Sequence, residues 1–440
     1  MKPNIFYRLL LPLILPAVLN AADLPHHVFV PPTNALSLDW VLGEVLTNNP
    51  ALKGAGARWR ALRERAPQQL AWDDPRTGVD FKVARFVDVP ANSFSDQTVF
   101  VEQTIPIAGK NKLRARAATA EASAEGAAYQ QRQLDLLAKA QASYFRLANA
   151  YGQWEINRRS SSFLEQVVQA ARHKLESGQE TQSTVLSAET DLANLDESAF
   201  DFERQVADEQ ALLNTLMNHP ADALVGRPAP APFVEVDLSF GQVEAAALAH
   251  RPELLAASKK IESARAVLDA SRRNWIPEPS LRLAADHYNG GSQVVDDVMA
   301  GVSFDLPWFQ HKKYAAAKRE NQELLSGARY DLDVLRTETS QMLRAQLTKI
   351  QTFRHHYELF RDKVAPLARQ SIEASRISYE AGQGGLMQVL LARQKAQESE
   401  SMLLQHLTDY QIALAELTSL AGAPLSAMTN NSASNQTEKP

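Results

Sequence analysis

The stretch VMAGVSFDLPWFQHKK, Val298 to Lys313, holds two secondary-structure periods within sixteen residues. Its first half alternates: Val298, Ala300, Val302, Phe304 and Leu306 fall on one face, Met299, Gly301, Ser303 and Asp305 on the other. This is a strand with one apolar side. Pro307 removes a ladder donor and ends the pairing. Trp308 and Phe309 follow, and Lys312-Lys313 open a long helical pattern. The same order occurs upstream, where Val99, Val101 and Ile105 alternate with Phe100, Glu102 and Thr104 before Pro106, Gly109-Lys110 and Lys112.

The likeness spreads outward from these two stretches. Leu36-Ser37, Val41, Leu46, Pro50 and Leu52 return as Leu238-Ser239, Val243, Leu248, Pro252 and Leu254, and Trp72 returns as Trp275. Further on, Glu176-Ser177-Gly178-Gln179 with Val185-Leu186 and Ala188 matches Glu380-Ala381-Gly382-Gln383 with Val389-Leu390 and Ala392. The offset stays between 201 and 204 residues, which marks an internal duplication.

Lys2 and Arg8 precede an apolar run from Leu9 to Leu19 that ends in Asn20-Ala21-Ala22, the parts of a secretory signal peptide over residues 1–22. The run is too short to span a bilayer as an anchor, which takes roughly 20 residues. With no cysteine in the chain, disulfides, thiolate chemistry and cysteine-held metal are excluded. A net charge of -5 and the absence of basic runs give no case for a nucleic-acid partner.

Each copy reads as helix, strand, strand, long helix, return helix. The first copy covers 23–219, with a helix over Ser37–Leu70, strands at 78–89 and 97–106, and a helical hairpin turning near Gly178. The long arm from Lys112 to about Leu175 repeats apolar or small residues at steps of three and four, a coiled-coil period. A Pro-rich linker, 220–237, leads to the second copy, 238–423, with strands at 279–288 and 296–307 and a turn near Gly382. Pro366 is expected to kink or break the second long helix. The Asn- and Ser-rich tail, 424–440, reads as disordered.

Four one-sided strands cannot close a membrane barrel, which takes about eight. An open edge in lipid costs several kcal/mol per unpaired backbone group, so the barrel has to be shared between chains. Trp72, Trp275, Trp308 and Phe309 stand at the strand ends, where aromatic residues favour the membrane interface.

With these features the chain resembles the TolC-like outer-membrane efflux factors. The resemblance rests on the duplication, on Leu46-Thr47-Asn48-Asn49-Pro50-Ala51-Leu52 and its copy, on the strand-Pro segments at Pro106 and Pro307, and on Tyr379-Glu380-Ala381-Gly382 leading to Val389-Leu390 and Ala392. It implies a mainly α fold in which antiparallel coiled-coil helices form a periplasmic α-barrel. A homotrimer would pool four strands per chain into one β-barrel in outer-membrane lipid. It also implies a passive exit duct, with a periplasmic adaptor and an inner-membrane resistance-nodulation-division pump as partners. The segment Pro106-Ile107-Ala108-Gly109-Lys110 is most similar to the branch that exports heavy-metal cations; drug efflux and type I secretion are the competing cargoes, and an exported coiled-coil scaffold is the competing class. The family narrows its periplasmic end with aspartates after the glycine turn, but here those places hold Gln388 and Leu391, and Thr184 and Ser187 in the first copy. Gly178, Val185, Leu186, Tyr379, Gly382, Gln388, Val389 and Leu390 are thus the expected tip and aperture residues, with Tyr379 either constricting the duct or packing between helices.

No nucleophile elbow, phosphate loop or set carboxylate pair occurs, so neither an enzyme nor a cofactor is expected. His26-His27 and His355-His356 are adjacent pairs, and neighbours on a helix point apart, so no metal site is expected from either.

Overall fold

The computed structural model describes residues 35–81, 97–289 and 294–429. The signal segment, residues 82–89 of the first expected strand and the tail beyond 429 lie outside them. The elements run β1 (Ala35–Leu36), α1 (Leu38–Asn48), α2 (Pro50–Arg63), α3 (Arg65–Leu70), β2 (Arg76–Phe81), β3 (Gln97–Thr104), α4 (Lys110–Glu176) and α5 (Gln182–Met217). After β4 (Arg227–Pro228) come α6 (Phe240–His250), α7 (Pro252–Ser271), β5 (Pro279–Asn289), β6 (Val294–Phe304) and α8 (His311–Leu359). The chain then continues through α9 (Ala365–Glu380), α10 (Leu386–Ala421) and α11 (Leu425–Thr429).

Several boundaries differ from the sequence expectation, each for a local reason. The single helix expected over 37–70 is three. Asn49, extended ahead of Pro50, leaves α1 and caps α2, its side chain accepting from Ala51 N at 3.0 Å and Leu52 N at 3.2 Å. Pro67, without an N–H, marks the second break. β6 stops at Phe304 rather than 307, because Pro307 starts a 3-10 turn to Gln310. Pro366 does not break its helix but interrupts its bonding: the backbone stays right-handed through a π turn, Phe360–Val364, before α9, with Ala365 N–H bonded to Phe360 O. Of the expected tail, only its start is described, and there Leu425–Thr429 form α11, which buries Met428 among Val243, Leu417 and Ala421.

α4, 67 residues long, is the spine. At 1.5 Å per residue it spans about 100 Å. Nearer the hairpin turns the packing order is α5, α4, α10, then α9 and α8; nearer the strands α2 and α3, then α4, α7, α8. The return helices stack end to end with the short ones. α10 ends at Gly422 (φ 70), where a Cβ would meet Arg251 Cα at 2.7 Å and His250 O at 2.8 Å at the start of α7. α5 ends likewise at Asn218, left-handed at φ 61 and the only non-glycine of that kind among the described residues. Asn49 Nδ2 donates to Leu216 O at 2.9 Å across that joint. The linker between copies straps the wall: β4 pairs in parallel with β1, Tyr144 donates to Leu36 O at 2.9 Å and Tyr410 to Val234 O at 2.9 Å.

Both copies contribute to one antiparallel sheet, ordered β2-β3-β5-β6. The register Val79, Val99, Ala285, Val298 and its parallel row Val101, Leu283, Ala300 put the apolar positions on one side. That side is open: Val99 is 49 %, Leu283 62 % and Val298 83 % exposed, whereas Ala284 on the other side is buried. The edges, β2 and β6, carry no further strand among the described residues. No described helix is long and apolar enough to cross a membrane.

Candidate functional sites at the two ends of the wall

At the sheet end, polar side chains share the face opposite the apolar one. Arg282 Nη2 donates to Asp80 Oδ2 at 3.1 Å while its guanidinium lies 3.9 Å from the Phe100 ring centre. Gly78 faces Phe100 across the ladder, where a Cβ would stand 2.8 Å from the ring. Trp72, Trp275, Trp308 and Phe309 are all more than half exposed around the strand ends. They lie apart from the core clusters, on the same border between sheet and helices.

The corner at Pro106–Lys110 joins the two copies. Lys110, buried, donates to Ile276 O at 3.0 Å and pairs with Glu278 at 3.2 Å. Gly109 takes φ 64, and Arg273 donates to Ala108 O at 3.0 Å in the space that a Cβ on Gly109 would fill. The Gly-Lys pair therefore has an architectural use that involves no cargo.

At the far end Gly178 (φ 71) and Gly382 (φ 72) close the two helical turns. In each, the following residue bonds back: Gln179 N–H to Lys174 O at 2.8 Å, Gln383 N–H to Ser378 O at 2.9 Å. This ending needs a left-handed residue, which glycine adopts without strain. The hairpins pack on each other, with Leu164, Val168, Val185, Ala188, Tyr379, Leu386, Val389 and Leu390 in one buried cluster. The copies are used unequally. Leu390 is buried in the seam while its counterpart Leu186 is half exposed, and Gln388 is exposed beside the turn.

Tyr379 fills this seam, buried against the first hairpin. Lys174 Nζ lies 3.8 Å from its ring centre and donates to its carbonyl at 2.5 Å, and the phenol O reaches Glu180 Oε2 at 3.5 Å. Burial pushes the phenol up to about 12, and the Glu180 carboxylate adds to the shift. Deeper in the seam Arg393, buried, donates to Ser160 Oγ and Gln397 Oε1, both at 2.9 Å, with Asp191 at 3.5 Å. Burial pulls this guanidinium below its ordinary value, and Asp191 opposes the shift. Lys174, Glu180, Arg393 and Asp191 carry no signal in the sequence, because charged residues near a turn or on a long helix read as solvated.

The described chain thus carries a one-sided sheet at one end and paired helical hairpins at the other. The sequence profile of the outer membrane efflux protein family matches residues 41–219 and 245–423, one stretch in each copy. The chain belongs to that family, one of outer-membrane channels and not of enzymes, with its helices in the periplasm. It is 24 % identical over 263 residues to the outer membrane efflux protein BepC of Brucella suis biovar 1 (strain 1330). That match covers 58 % of this chain and 56 % of BepC, little more than half the length of that relative. Among solved structures, the outer-membrane channel OprN superposes with a TM-score of 0.76 at 16 % identity, over 88 % of this chain and 90 % of OprN. The outer membrane protein VceC of Vibrio cholerae does so with a TM-score of 0.75 at 17 % identity, over 88 % and 96 %.

Proposed function

We propose that this chain is one third of an exit duct. Three copies pool four strands each into a twelve-stranded barrel, and their helical walls continue it as a periplasmic tunnel. The observation that supports this is the sheet: apolar on its open side, with two free edges that lipid would penalise by several kcal/mol per unpaired group. A trimer closes the edges and puts Arg282, Asp80 and Phe100 in the lumen. Energy then comes from elsewhere, through a periplasmic adaptor docked on the six hairpin tips and a resistance-nodulation-division pump in the inner membrane. At the tips Tyr379, Val389 and Leu390 act through the seam, while Leu186 and Gln388 face outward, and closure relies on packing and neutral hydrogen bonds.

Native mass measurement in detergent tests the assembly: a trimer is expected, and a stable monomer with full strand content would sink the shared barrel. For cargo we propose heavy-metal cations, on the likeness of Pro106–Lys110 alone. A deletion strain should then lose tolerance to divalent heavy-metal cations more than to dyes and detergents; the reverse pattern assigns the duct to drug efflux.

A further inference from the structure

We propose that His356 and His406 form a two-histidine site for a divalent transition-metal ion, set in the helix wall beside the π turn. Along the sequence His356 has only His355 beside it; the fold supplies another partner. His356 lies in the last turn of α8, His406 lies on α10, and their ring centres are 5.0 Å apart with planes at 53°. An imidazole nitrogen binds such an ion at about 2.0 to 2.1 Å, which leaves each ring centre about 3.2 Å from the metal. Two rings sharing a tetrahedral ion therefore stand about 5 Å apart and tilted, as this pair does. His355, by contrast, has its ring centre 6.3 Å from that of His356.

A second observation comes from His406 itself. It is nine-tenths buried, and its Nδ1 has no hydrogen-bond partner. Buried polar atoms are nearly always paired, so an orphan of this kind calls for an explanation. Phe360, the first residue of the π turn, stands edge-on to the same ring at 5.0 Å. Pro366 explains why the helix bonding shifts to a π turn here, but not why two imidazoles from different helices meet beside that turn.

The donor set defines the ligand. Imidazoles suit Cu2+, Ni2+ and Zn2+, in an order that favours Cu2+, and leave Mg2+ to water. Among the described residues no group of three or more His, Cys, Asp or Glu converges as a metal site, so water completes the shell. Bound metal would pin α8 to α10 where the π turn interrupts the second hairpin, once per chain. This inference does not require metal to be the cargo.

The test uses the untagged, detergent-purified full chain after chelator treatment, titrated calorimetrically with CuCl2, NiCl2, ZnCl2 and MgCl2. One Cu2+ per chain is expected at this site, with no response to Mg2+ and nitrogen hyperfine structure from two imidazoles in the Cu2+ electron-spin spectrum. His356→Gln and His406→Gln should each weaken that binding by roughly tenfold or more, while His355→Gln leaves it unchanged. If His406→Gln fails to fold, the half-buried His356→Gln decides alone. No Cu2+ binding, or Cu2+ binding undiminished in His356→Gln, overturns the site.

Discussion

Glu209 is a carboxylate held where its charge is disfavoured. Burial pushes it above its ordinary value of 4.5, more than the hydrogen bond from Ser143 Oγ at 3.0 Å pulls it down. A raised folded-state value means the native protein binds this proton more tightly than the unfolded chain, so the group costs stability as pH rises through that window. Glu209→Gln keeps an acceptor for Ser143 and removes the charge. It should raise the melting temperature at pH 7.5, and the gain should shrink as pH falls toward 4.5; a gain independent of pH would refute the assignment. At the tip, Tyr379→Ala should raise single-channel conductance in a planar bilayer, since the ring fills the seam that holds the second hairpin on the first. Gln388→Ala, at an exposed neutral position, should hardly alter the pH dependence. Unchanged conductance in an assembled Tyr379→Ala channel would move the constriction elsewhere.

Helix ends set the next scale. Gly178 and Gly422 share a left-handed backbone, yet a Cβ on Gly178 meets open space and one on Gly422 meets backbone. Gly178→Ala should therefore cost only the conformational penalty, about 1 kcal/mol, whereas Gly422→Ala adds a displacement of α10 from α7. Thermal melting of both variants separates them, and equal losses would contradict the end-to-end stacking. The long helices and one-sided strands were legible because their periods persist over many residues. What depends on a few residues was not. β1 and β4 have two residues each, too few to show alternation, and α11 is fixed by the core that Met428 enters. Asn49-Pro50 was visible as a repeated motif, but its meaning as a helix boundary emerged only with the cap. The seam partners of Tyr379 and the meeting of His356 with His406 come from helices brought together in three dimensions, which periodicity along one helix does not report.

For the whole molecule, the duplication specifies two similar halves that are spent on different tasks. Leu186 and Leu390, or Asn218 and Gly422, occupy matching places with different surroundings. The two halves also meet within the sheet, where β3 pairs with β5 from Gln97↔His287 to Thr104↔Ser280. That pairing has a consequence for biogenesis. While an exported chain is still being delivered amino end first, β2 and β3 form only an isolated ribbon, which is marginal in water. The exposed edge of β3 then waits for a partner nearly two hundred positions downstream, and closing so long a loop is slow. An unpaired apolar edge held in a crowded compartment is a site for mispairing. Chains of this design need escort until the second half arrives, and a gene cut at the linker should yield two fragments that are each insoluble alone.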